Sequence, residues 1–197
     1  MRLFAAIALD APLRAALAQR MELLRAQGLE GNFVCPENLH LTLAFIGETQ
    51  RAEAAAACLS AVRARAFSLA LSVLGRFRRK SGGIYYAGVQ PAPALSDLAA
   101  EVTKNLCAAG FRLEERRFVP HITLCRARSG GREPDFMQYA YRPLSGGMYV
   151  DRLVLMQSRH VEGRLVYTPL HQKMLRSSVD GEEPSRTRGG ETGRMES

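Results

Sequence analysis

The chain writes His-aliphatic-Thr-Leu twice, first as His40-Leu41-Thr42-Leu43 and later as His121-Ile122-Thr123-Leu124. In a strand, residues i and i+2 share a face. Each copy therefore turns His and Thr to one side and two aliphatics to the other. The aliphatics require a core, and the polar pairs require water or a cleft. One His-x-Thr constrains little; two copies call for a fold that presents two similar strands. Each copy follows a helical stretch and a proline-containing turn, Pro36 before the first and Pro120 directly before the second. That repetition predicts two lobes, each supplying one His strand.

The rest of the chain fits around these strands. Residues 2–9 read as a strand. Residues 10–28 read as a helix with Asp10 as its N-cap, Pro12 early and Gly28 after its end. An Ala-rich helix is expected over residues 52–65. "FSLALSVLGRF" and "GIYYAGV" form a predicted hairpin, "ALSDLAAEVTKNLCAAG" a third helix ended by Gly110, and "DFMQYA" a short helical turn. "MYVDRLVLMQSR" and "LVYTPLHQKML" read as two closing strands. Mixed helices and short-looped strands favour an α+β fold with antiparallel sheet over a doubly wound parallel one. Residues 1–176 are expected to form the two-lobed domain. Residues 177–197, nearly devoid of apolar side chains, read as a disordered polar tail.

The paired motif carries a specific chemistry. Two histidines facing one cleft can work as an acid–base pair, because imidazole titrates near neutral pH. The hydroxyls of Thr42 and Thr123 can donate to anionic oxygens. Such a set suits hydrolysis of a phosphate ester with neither metal nor covalent intermediate: one histidine activates water, the other protonates the departing oxygen, and the threonines hold the non-bridging oxygens.

Other features are less specific. The formal net charge is +8, and "GRFRRKSGG" at residues 75–83 concentrates part of it, as a contact for a polyanion would, the alternative being a solvated hairpin tip on a generally basic surface. The four cysteines (Cys35, Cys58, Cys107 and Cys125) form no CxxC pair and read as structural thiols of a cytoplasmic protein. Cys125, by strict alternation, shares a face with His121 and Thr123. His160, in an expected hairpin turn, and His171, in the last strand, lack a Thr two residues on and read as non-catalytic. No GxxxxGK[ST] loop occurs, which disfavours a P-loop NTPase. The apolar start "MRLFAAIALDAPL" is interrupted by Asp10 and Pro12 and reads as a strand, not a signal peptide.

The paired motifs, with "RLFAAIAL", "FVCPENLHLTLAFIGE", "IYYAGV", "FVPHITLCRA" and "LVLMQSR" in order, resemble the two-histidine phosphoesterase superfamily. The chain looks closest to the RNA 2′,3′-cyclic phosphodiesterases, historically called 2′-5′ RNA ligases, over roughly residues 2–173. The resemblance implies a two-lobed fold with pseudo-twofold symmetry. It implies metal-independent hydrolysis of a terminal 2′,3′-cyclic phosphate to a 2′-phosphomonoester, with no cofactor. It places His40 as general acid toward the 3′ oxygen and His121 as general base toward water, although the near-symmetry of the motifs leaves the two roles exchangeable. It adds Arg126 as a phosphate contact, and Phe45 in the matching place as a nucleotide contact. Arg126 lies five residues after His121, an odd step, so a bend or bulge must intervene to bring it to the cleft.

The chain departs from the family in two places. Asn32 and Phe33 stand where a basic residue beside an aromatic is usual, and Tyr86 where many relatives have Trp. Tyr86 can still stack on a base. Tyr85 and Tyr86 point to opposite faces, so one at most reaches the cleft. The expected partner is an RNA or oligonucleotide with a 2′,3′-cyclic phosphate end, met by a monomer with no membrane contact. The alternatives are a 2′-5′ ligase, a phosphodiesterase of small cyclic nucleotides, and a non-catalytic RNA-end binding module.

Overall fold

The computed structural model describes residues 1–79, 82–114, 117–131 and 143–177. The expected helical turn at 135–140 and the polar tail, beyond residue 177, lie outside the described residues. Elements run in the order β1 (Arg2–Ala8), α1 (Ala11–Ala26), β2 (Gly31–Phe33), β3 (His40–Glu48), α2 (Ala52–Ser60), β4 (Phe67–Arg79), β5 (Gly82–Val89), α3 (Pro93–Ala108), β6 (His121–Ala127), β7 (Gly147–Val150), β8 (Arg152–Val161) and β9 (Arg164–Met174). The strands pair antiparallel in the order β7-β4-β5-β6-β3-β1-β8-β9, with β2 beside β6. This is the expected α+β class, and the sheet divides into two four-stranded halves. β3-β1-β8-β9 carries His40, and β6-β5-β4-β7 carries His121. They join where β3 runs beside β6, at one ladder pair, Leu41 opposite Ile122.

Each half repeats a unit of two neighbouring antiparallel strands linked by a 16-residue helix, β1-α1-β3 and β5-α3-β6. Helix α1 starts where Asp10 accepts the Leu13 amide at 2.9 Å, and the chain leaves it through Gly28 at φ 90°. Its buried residues, Leu13, Leu17, Met21 and Leu24, recur at helical spacing. Leu95, Leu98, Val102 and Leu106 do the same on α3. These side chains meet Leu41, Leu43, Ile122 and Leu124 in one core, so the helices cover the sheet face opposite His40 and His121. β1 lies between β3 and β8 and is buried on both faces. Its Ala5 and Ala6 suit that crowded position better than β-branched residues would.

The two His strands share an irregularity. Along β3, Ala5 pairs with Ala44 and Ala6 with Thr42, so Leu43 is an extra residue. Along β6, Tyr85 pairs with Cys125 and Tyr86 with Thr123, so Leu124 is extra. Each bulge lets two successive residues face the core and then restores alternation. The burial sequence over the first seven residues is accordingly the same in both strands. The bulge in β6 is tied down by the Val34 amide, which donates to the Leu124 carbonyl at 2.9 Å.

Three expectations are corrected here. β2 was not foreseen, since three residues beginning with Gly carry no periodicity. The segment read as one strand from Met148 is two, broken at Asp151: β7 pairs with β4 and β8 with β1. Helix α2 stops at Ser60, short of residue 65, because the chain beyond it pairs with residue 176 instead: the Ala66 amide donates to the Arg176 carbonyl, and the Arg176 amide to the Ala64 carbonyl.

Ile122 is fully buried at the joint between the halves. Ile122→Ala should lower the unfolding free energy by about 2–5 kcal/mol, measured by urea denaturation; a loss under about 1 kcal/mol would mean that the joint is not a packed core position.

Candidate functional site

His40, Thr42, His121 and Thr123 are half-buried on the face away from the helices, while the aliphatics between them are buried. With Leu41 opposite Ile122, one residue further in each direction sets His40 across from Thr123 and Thr42 across from His121. The approximate twofold axis passes through that ladder pair.

Each imidazole is held in the same way. His40 Nδ1 lies 2.7 Å from the Asn38 carbonyl, and His121 Nδ1 lies 2.7 Å from the Val119 carbonyl. A carbonyl only accepts, so Nδ1 carries a proton in both rings and Nε2 is the nitrogen left for proton transfer. The surroundings differ. The anchor of His40 is partly buried and that of His121 is exposed. His40 packs against Phe4 (centroids 4.9 Å apart) and edge-on to Tyr167 (5.0 Å, 90°). His121 meets Phe77 edge-on (5.0 Å) and Tyr86 at 5.4 Å. Burial pushes the His40 imidazole below the ordinary histidine range, and the nearby charges of His121 and Arg126 act in the same direction. The hydrogen bond to Asn38 opposes them without reversing the shift.

The bulges decide what else reaches this face. After Leu124 and Cys125, both buried, Arg126 emerges exposed, and its charge is felt by His40 and Tyr167. Phe45 occupies the equivalent place after Leu43 and is 48% exposed. The same bulge corrects the placement of Cys125. It faces the core instead of sharing the face of His121 and Thr123, and burial pushes its thiol up to about 11. Of the tyrosine pair, Tyr85 is fully buried and Tyr86 turns toward His121, stacked on Phe77 at 4.3 Å. Gly75 makes that stack possible, because a β-carbon there would collide with the Tyr86 ring.

The other candidates lie elsewhere. His171 meets Ser60 of α2 at 2.9 Å, on the helix side of the sheet. His160 lies within β8; the turn that follows is Glu162-Gly163, both at positive φ. Asn32 is exposed on β2 opposite Arg126, and Phe33 holds the Arg25 guanidinium over its ring at 4.2 Å. Arg76, Arg78 and Arg79 line the end of β4, and the hairpin tip beyond them lies outside the described residues. Cys35, Cys58, Cys107 and Cys125 are free thiols. Among the described residues, no group of three His, Cys, Asp or Glu side chains could hold a metal ion, and no helix is long and apolar enough to cross a membrane.

The residues missed from sequence are the aromatics around the histidines: Phe4, Phe77 and above all Tyr167. Tyr167 comes from β9, the outermost strand of the His40 half, yet its phenol lies in the field of Arg126 and Arg2. Nothing in "LVYTPLHQKML" marks it. An aromatic on the final hairpin is a core residue by default, and only the pairing of β1 with β8 and of β8 with β9 brings it to His40.

A family model described as the 2′-5′ RNA ligase superfamily matches residues 12–162. An RNA 2′,3′-cyclic phosphodiesterase of Geobacillus stearothermophilus is 38% identical over 117 residues, 57% of this chain; the match spans 37% of that relative's length. One of Thermotoga maritima is 35% identical over 133 residues, 65% of this chain and 71% of its own. The apo crystal structure of E. coli LigT superposes with a TM-score of 0.74 at 32% identity, covering 89% of this chain and 97% of LigT. LigT has also been solved in complex with 3′-AMP and with phosphate.

The depressed proton affinity of His40 has a direct readout. Lowering the pKa favours the neutral ring, so at pH 6.5 more than half of His40 should be uncharged, with its proton on Nδ1. Nitrogen-15 NMR titration of the histidines should find this, and inorganic phosphate should move the midpoint upward. A midpoint above 6.5 in the free protein would contradict the enclosed, positively surrounded site.

Proposed function

The chain belongs to the 2′-5′ RNA ligase superfamily, and from that membership we propose that it hydrolyses a terminal RNA 2′,3′-cyclic phosphate to a 2′-phosphomonoester without a metal ion. The observation that carries this reading is the doubled anchor: two histidines on one face, each with Nδ1 committed to a backbone carbonyl at 2.7 Å. A module that only bound RNA ends would have no use for two imidazoles oriented in this way. The cyclic-phosphodiesterase names of the relatives and the 3′-AMP and phosphate complexes of LigT agree with it.

In the proposed reaction, His121 Nε2 takes a proton from water as the water oxygen bonds to phosphorus. The bond from phosphorus to the 3′ oxygen breaks, and His40 Nε2 gives its proton to that oxygen. A 3′-hydroxyl and a 2′-phosphate result, and the histidines exchange protonation states. Thr42, Thr123 and the Arg126 guanidinium hold the non-bridging oxygens and neutralise the charge that builds on them. The difference in exposure supports this division of roles. His121, with the exposed anchor, faces the water supply, whereas the enclosed His40 is screened from it. A depressed pKa makes His40 a stronger acid once protonated. The bound phosphate anion supplies the field that protonates it, by offsetting the nearby positive charges.

Tyr86 on Phe77, and Phe45 across the cleft, would offer ring faces to the terminal nucleotides. Arg76, Arg78 and Arg79 would follow the RNA backbone. The two halves of one chain complete the site, so a monomer suffices, and four unpaired cysteines suit the cytoplasm. With an RNA 5′-hydroxyl in place of water, the reverse reaction would form a 2′-5′ linkage, as the family description suggests.

His40→Ala and His121→Ala should each lower turnover of a cyclic-phosphate oligonucleotide by about 100-fold or more; near-full activity in either variant would sink the two-histidine mechanism. Phosphorus NMR of the wild-type reaction should show 2′-monophosphate alone. Turnover should persist in excess chelator, and a loss that added metal restores would overturn the metal-independent reading.

A further inference from the structure

The two halves break their symmetry at the residue two places before each histidine. Both residues use the backbone carbonyl to hold Nδ1, but one is Asn38 and the other Val119. Asn38 ends the short 3-10 turn Pro36–Asn38 that leads into β3, and its side chain turns away from His40 to β9. Its Nδ2 donates to the Leu165 carbonyl at 2.7 Å, and its Oδ1 accepts the Tyr167 amide at a longer 3.4 Å. β9 is an outer strand, paired on one side with β8. The carboxamide of Asn38 thus engages the carbonyl and amide flanking Val166, as a neighbouring strand's peptide group would.

Tyr167 is the residue so held. Its ring stands edge-on to His40 at 5.0 Å and edge-on to Phe4 at 4.9 Å. One residue therefore touches the imidazole by two routes, directly through its own carbonyl and indirectly through the backbone of the aromatic that walls the ring. The β8–β9 hairpin is otherwise held through the β1 ladder and, on the helix side, through His171 at Ser60, whereas the Asn38 carboxamide ties β9 directly to the turn that carries His40.

We propose that Asn38 is a positioning residue for the reaction: its carboxamide clasps β9 to the turn carrying His40, and so holds the Tyr167 ring against the imidazole whose Nδ1 its carbonyl fixes. The proposal rests on the reading of His40 as a proton-transfer group. Tyr167 supplies the wall that keeps the imidazole from swinging and water from its flank. Val119, which stands in the matching place before His121, has no polar side chain and can form no such clasp.

The test compares wild type, Asn38→Ala, Tyr167→Ala and the double variant, in steady-state turnover of a cyclic-phosphate oligonucleotide and in NMR titration of His40. Each single change should lower kcat roughly 10-fold with KM nearly unchanged, less than the ~100-fold that a misplacement of a full ångström can cost. The double variant should be no worse than the more impaired single one, because both remove the same wall. In each variant the His40 midpoint should rise toward the value of a solvated histidine. Asn38→Leu, which keeps the branched four-atom skeleton without its polar atoms, serves if the alanine variant folds poorly. Unchanged kcat per folded molecule with an unmoved His40 midpoint would reduce Asn38 to a purely structural role and overturn the proposal, as would single effects that multiply in the double variant. The titration needs no turnover. Should wild type leave cyclic phosphate untouched, the hydrolysis reading fails and the clasp is still decided by the His40 midpoint.

Discussion

The site depends on how little β3 and β6 share. The two halves meet along these strands at a single ladder pair, Leu41 opposite Ile122, with both side chains driven into the core beneath the helices. A longer ladder would have flattened the junction into continuous sheet. One pair is enough to fix the register, which sets each histidine across from the other strand's threonine. Burial of the two aliphatics and placement of the four polar groups are one event, since a strand cannot turn its odd residues inward without turning its even ones out.

The paired bulges extend that logic. A regular strand would bury Phe45 and Arg126 and expose the residues before them. An extra leucine in each strand resets the alternation, so that a cation and an aromatic rejoin the histidine face while Cys125 drops into the core. The same device at the same step in both halves gives a duplicated scaffold with different side chains on it: a guanidinium on one side, a phenyl ring on the other. Around the histidines the differences accumulate, with Phe4 and Tyr167 enclosing one ring and Phe77 and Tyr86 flanking the other.

Much of this was legible in the sequence. The repeated His-x-Thr-Leu announced two strands and one shared face. Once the family resemblance placed Arg126 at the site, its odd spacing from His121 called for an irregular strand. The position of the bulge was not legible, because which residue is extra is settled by the partner strand's register. Cys125 was therefore put on the wrong face. The break at Asp151 was hidden for a related reason: β7 and β8 are both good strands, one residue apart, and only their partners, β4 and β1, show that they belong to different halves. Tyr167 and Asn38 escaped because their importance is relational. Tyr167 meets His40 only after distant strands have paired, and the Asn38 carboxamide, although its own carbonyl is a local neighbour of His40, finds its partners on β9 only then.

The break at Asp151 also bears on how the molecule is made. The half that bears His121 is one uninterrupted stretch from β4 to β7, and its two ends, Phe67 and Val150, are direct ladder partners. The half that bears His40 is split, with β1 and β3 at one end of the chain and β8 and β9 at the other. On a ribosome, the continuous half can close on itself while the first strands still lack β8 and β9. It is in effect an insert carried by a host whose own sheet is finished last. The strands around His121 can thus pair before the Tyr167 that walls His40 has been synthesised, and the aromatic enclosure of His40 is complete only once the closing hairpin has docked.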